Sequence, residues 1–249
     1  MVGLSVPVVR LAGSRLELAE AAAWFMGLGA GALGFEAIAE IELASLARYA
    51  ALGGLDRYPC NSQGLVEAAL DRLDAGARAR LCQLEAPLVV VAPPGFRPHC
   101  WRLPEASRRL DQRGGVDRYA LLPSDATLGA IAHELGHLLF DWPDLERDSG
   151  LANECLMARG ALLPEPAPPN ALLRLRAGWV VARQPERTMR ARELEVGEAL
   201  VIGERVIERR LDPDRLLVLL DRPRPLLLRR IELGREDLER PLLALARFG

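Results

Sequence analysis

His133-Glu134-Leu135-Gly136-His137 places two imidazoles one helical turn apart with a carboxylate between them. On an α-helix, residues i and i+4 share a face, so both rings can reach one metal ion, with Glu134 beside the water that ion binds. Zinc (Zn2+) suits the pattern: it acidifies a bound water, and Glu134 is placed to take the proton. The competing interpretation is a coincidence on a buried amphipathic helix, because Ile131, Leu135, Leu138 and Leu139 surround the pair. Two of the chain's 3 histidines fall at this spacing, which favours the metal.

A hydrolytic zinc site needs a third protein ligand and an open fourth position. Asp141 follows His137 by one more turn, but three ligands on consecutive turns of a straight helix span about twice the 5.4 Å pitch, too far for bonds of about 2 Å to one ion. Pro143 disfavours helical geometry at Trp142, so the helix is expected to end there and let Asp144 swing towards the metal. Asp144 is therefore preferred, with Asp141 as a cap or supporting partner. Glu154 is a further candidate, since zinc hydrolases with a glutamate ligand supply it from a second helix.

These residues need a scaffold. From Leu16 to Leu52 the chain is rich in alanine, leucine and glutamate with helical periodicity, and a second helical stretch runs from about Gly64 to Leu84. Gly53-Gly54 and Pro59-Cys60-Asn61-Ser62 mark loops between them. Pro87 to Ala92 suits a buried strand and Tyr119 to Leu122 another, after which Ser124 or Asp125 can cap the histidine helix. Pro164 to Pro169 holds four prolines in six residues and suggests a stiff linker. Beyond it, Leu175 to Ala182, Ala199 to Val201, Val206 to Arg209, Leu216 to Leu220 and Leu226 to Ile231 have strand character. Asp212-Pro213-Asp214 supplies a hairpin turn, and Glu236 to Arg247 a closing helix. The expectation is an α/β (α+β) protein, with a catalytic domain at residues 1–163, helical in its N-terminal part, and a small β-rich C-terminal domain at 170–249.

Other motifs carry less. Gly29-Ala-Gly31-Ala-Leu-Gly34 fits a dinucleotide-binding pattern, but that pattern should follow a strand, and the preceding Ala21 to Met26 is helical in character. Cys60, Cys82, Cys100 and Cys155 are too few and too irregular for a disulfide framework or a Cys-x-x-Cys zinc site, and most suit buried positions. His99-Cys100 as a second ligand pair and Cys60 as an inhibitory thiolate on the zinc are the remaining options.

The 249 residues are 50% hydrophobic and 27% charged with a formal net charge of −2, which points to no nucleic-acid or anionic-membrane partner. Ala21 to Phe35 is apolar but too short to span a membrane. Nothing in the chain sets an oligomeric state. The start has no secretory leader pattern, so a cytoplasmic chain or one with its leader removed is expected. All 32 basic residues are arginine, consistent with ion-pair networks in a thermophile's protein and equally with a GC-rich genome.

His133-Glu-Leu-Gly-His137-Leu-Leu-Phe-Asp-Trp-Pro-Asp144-Leu, followed by Leu156-Met157-Ala158-Arg159-Gly160, resembles the immune inhibitor A family of bacterial zinc metallopeptidases among the metzincins. Ala177-Gly178-Trp179-Val180 is similar to a segment that follows in that family, so the resemblance covers about residues 60 to 182. It implies a metzincin-like catalytic domain acting on a protein or peptide substrate. His133 and His137 would bind zinc, Glu134 would be the general base, and Met157 would lie in a hydrophobic floor beneath the metal. Tyr119 to Leu122 would be the edge strand that pairs with the substrate backbone, and Glu154 would lie in the turn region. Metzincins carry glycine three residues after the second histidine, where this chain has Phe140. Phenylalanine resists positive φ, so the turn is expected to be made differently, as by one further residue of helix. If that altered turn misplaced the metal, the alternative would be a catalytically inactive binding module on the same fold; a metal-dependent hydrolase of non-peptide substrates is the third possibility.

Overall fold

The computed structural model describes residues 3–46, 49, 58–108, 115–145 and 151–180, with the strand segments 199–202, 205–209 and 216–220. By their contacts, residues 1–27 and 31–142 form one compact unit and residues 28–30 and 143–249 another.

The first unit is a mixed α/β structure around a five-stranded sheet. Its strands are β1 (Leu4–Leu11), β2 (Leu33–Ile41), β3 (Leu88–Ala92), β4 (His99–Arg102) and β5 (Arg118–Pro123), in the order β2-β1-β3-β5-β4. The first three and β5 are parallel, and β4 runs antiparallel along β5. All five residues of β3 are buried, as a central parallel strand covered on both faces requires. Pro7 lies in β1 just before its pairing with β3 begins at Val8, so its missing N–H costs that ladder nothing.

Helix α1 (Ala19–Gly27) crosses from β1 to β2; α2 (Tyr58–Asp71) and α3 (Ala75–Leu84) precede β3; α4 (Leu128–Phe140) follows β5. Leu65, Leu70 and Leu81 of α2 and α3 pack with Val9, Val90 and Leu121 in a buried cluster on one face of the sheet. Helix α4 contacts β4, β5 and α1. Its Ile131, Leu135 and Leu138 recur at i, i+4 and i+7 and are buried, the pattern of a helix laid on a core.

Several expectations need correcting. The helical stretch expected over Leu16 to Leu52 contains strand β2, and the long helix from Gly64 to Leu84 is two helices, broken where Asp74 caps α3 by accepting from Ala77 N at 2.7 Å. Pro59 to Ser62 belongs to α2 rather than a loop, with proline near the helix start, where its lack of an N–H is harmless. Gly29, Gly31 and Gly34 lie between helix α1 and strand β2, the reverse of the strand-to-helix order a dinucleotide site needs. Tyr119 to Leu122 is not an edge strand: β5 is sandwiched between β3 and β4, and the outer position belongs to β4.

In the second unit, Leu175-Arg176 ends the short helix α5 (Ala171–Arg176) instead of starting a strand; Asn170 caps it, accepting from Leu173 N at 3.0 Å. The proline-rich stretch is packed instead of a free linker, with Pro166 and Pro169 buried and Leu156 N donating to Pro168 O at 3.3 Å. Strands β6 (Ala199–Ile202), β7 (Arg205–Arg209) and β8 (Leu216–Leu220) form an antiparallel meander. Leu226 to Ile231, Asp212-Pro213-Asp214 and Glu236 to Arg247 lie outside the described residues.

Candidate metal centre

Helix α4 starts at Thr127, whose hydroxyl accepts from Ala130 N at 3.3 Å, so the cap is Thr127 and neither Ser124 nor Asp125. Along the helix, His133, Glu134 and His137 occupy about 100° of arc between the buried stripes, and all three are half-buried. The two imidazoles are 4.7 Å apart between centroids and nearly perpendicular, with their Nε2 atoms 3.1 Å from each other. Two nitrogens bound tetrahedrally to one zinc at about 2.0–2.1 Å would lie about 3.3–3.4 Å apart, so the pair is spaced for a shared ion.

The end of α4 determines what those nitrogens can do. The helix stops at Phe140, two residues before the expected Trp142. Asp141 then adopts a left-handed conformation at φ 54, and the N–H groups of Asp141 and Trp142 both go to Gly136 O, which reverses the chain directly after the helix. Phe140 thus stays helical, and the positive φ falls one residue later. Its ring stacks on Trp142 at 4.8 Å and meets Phe25 of α1 at 5.6 Å. Held in this way, the buried Trp142 offers its carbonyl to His137 Nδ1. A carbonyl only accepts, so Nδ1 carries the proton, and Nε2, which faces His133, is the nitrogen left for a metal.

The reversal also places Asp144. One ligating atom each from His133, His137 and Asp144 lie within 4.8 Å of one another, and among the described residues this is the group suited to hold a metal. Asp144 is exposed, so side-chain rotation can close the small excess over zinc's ligand spacing. A donor set of two imidazoles and one carboxylate is one that can hold a divalent metal. Leu145 N, next along the chain, donates to Met157 O at 2.8 Å, tying the segment after Asp144 to the Met157 turn.

The other candidates fall elsewhere. Asp141 lies outside the group and forms ion pairs with Arg102 at 3.5 Å and Arg118 at 3.6 Å. These arginines are register partners on β4 and β5, so the carboxylate offsets the repulsion of like charges placed opposite one another. Sequence reading missed this role, although arginines equally placed on neighbouring strands would have been its signal. Glu154 sits in a short 3-10 turn, Ala152–Glu154.

His99 and Cys100 diverge, as neighbours on a strand must. The ring of His99 meets Tyr119 edge-on and its Nδ1 lies 3.0 Å from Arg97 O, with burial lowering its pKa to about 4. The Cys100 thiol is pushed up to about 12, first by burial and then by the Glu134 carboxylate, which disfavours the free thiolate. Helix α4, which carries Glu134, contacts β4. Among the described residues Cys82, Cys100 and Cys155 form no disulfide, and the side chain of Cys60 lies outside the described residues.

Comparison of the chain with protein-family models and with curated proteins returns no match, so the residues of this centre are what its function is read from.

Proposed function

We propose that this protein is a zinc-dependent peptidase of metzincin-like design, in which His133, His137 and Asp144 hold the metal and Glu134 is the general base. The observation that carries the proposal is the convergence of those three ligating groups with a carboxylate on the adjacent arc of the same helix. A bound zinc would supply Lewis acidity towards a water and a substrate carbonyl. Glu134 would take the proton of the attacking water and deliver it to the leaving amine. The hydrogen bond from His137 to Trp142 would hold that imidazole in the ligating tautomer.

The outward side of β4 is suited to take an extended peptide as a further strand, since among the described residues its main-chain groups there have no strand neighbour in the sheet. This role passes to His99–Arg102 from Tyr119 to Leu122.

The test is Glu134→Gln, nearly isosteric but unable to accept a proton. It should retain zinc while casein cleavage falls by about 100-fold or more. A zinc-loaded variant with parental turnover removes Glu134 from the chemistry. Zinc binding in the parent with no chelator-sensitive cleavage selects the non-catalytic binding module or a non-peptide substrate.

A further inference from the structure

A cavity of about 430 Å³ lies in the first unit between the start of α1 and strands β1 and β2. It is large enough for a small organic ligand. Its walls are mainly aliphatic, from Val8, Leu16, Leu18, Ala22, Met26 and Leu33. No residue of α4 lines it, so it is separate from the candidate metal centre.

Arg10 breaks the apolar lining. It stands two residues after Val8, on the same side of β1, and its Nε is buried with no hydrogen-bond partner. A buried N–H left unmade is costly, and on a guanidinium it is a strong donor awaiting an acceptor. Two carboxylates limit the charge of that acceptor: Glu17 lines the cavity at an exposed position, and Glu40 is the register partner of Arg10 on β2. One guanidinium among two acidic neighbours suits a singly charged head group better than a phosphate.

We propose that this cavity is a binding site for a monocarboxylate with an aliphatic tail, the carboxylate meeting Arg10 and the tail lying against the aliphatic walls. The site stands independently of the peptidase proposal.

The test is calorimetric titration of the full chain with octanoate in the presence of a chelator, so that no carboxylate–metal contact contributes. Octanoate should bind with a Kd of about 1 mM or below. Octanol and octylammonium, which keep the tail but cannot accept a charge-assisted pair of bonds, should bind about tenfold more weakly or worse. Arg10→Met should weaken octanoate by about tenfold and leave octanol unchanged. Ala37→Leu, which fills the cavity from an exposed strand position, should weaken both tailed ligands. Absence of octanoate binding at about 10 mM, or equal affinity for octanoate and octanol in the parent, overturns the proposal whether or not the variants fold.

Discussion

Two tight turns follow the histidine pair, and they use glycine in opposite ways. The turn leaving α4 reaches φ 54 at Asp141 with no glycine present. The turn through Met157 ends at Gly160, where an added Cβ would lie 2.5 Å from Cys155 O and 2.6 Å from the Ala167 Cβ. A left-handed φ costs a non-glycine residue on the order of 1 kcal/mol, which local contacts can offset. A Cβ pressed into backbone has no such remedy. In one turn glycine is a convenience, and Asp141 serves without it; in the other it is demanded by space.

The sharpest break of this contrast is Gly160→Ala, expected to destabilise the fold by about 3 kcal/mol in denaturant titration, because the crowding atoms include a backbone carbonyl that cannot rotate away. A loss under about 1 kcal/mol would show that the turn relaxes and that space is not the constraint. Phe140→Gly comes next, at about 2 kcal/mol. It puts glycine in the last helical position and removes the ring packed between Phe25 and Trp142. Stabilisation instead would mean that residue 140 still carries the strain of the turn.

The smallest effect concerns Asp141, where Asp141→Gly relieves φ but loses the ion pairs, and Asp141→Ala loses the pairs while keeping the strain. Glycine should be the more stable of the two by about 1 kcal/mol, with the ion pairs themselves contributing little at so exposed a carboxylate. Equal stabilities would put the positive φ in doubt.

The sequence carried this contrast only in part. The spacing of His133 and His137 and the redirecting effect of Pro143 are local, so the helix and the preference for Asp144 could be argued from neighbouring residues alone. Where the turn falls could not: it depends on Phe140 finding Phe25 of α1 and Trp142 beyond the turn. The scaffold divides likewise. Leu88–Ala92 has the β-branched run of a buried strand and is legible, whereas Leu33–Ile41, with its alanines and glutamates, has helical composition and is a strand because β1 pairs with it over its whole length. The edge went unnoticed because β4 is only 4 residues long, too short for any alternation to show.

The central claim is that the reversal at Asp141 delivers Asp144 to the histidine pair. It is tested most directly by zinc content per chain, measured side by side for the parent, Asp144→Ala and Asp141→Ala after equilibration with limiting zinc and a competing chelator. The account predicts about one zinc in the parent, nearly as much in Asp141→Ala, and little or none in Asp144→Ala. A parent that holds no zinc, or an Asp144→Ala variant that holds as much as the parent, contradicts it.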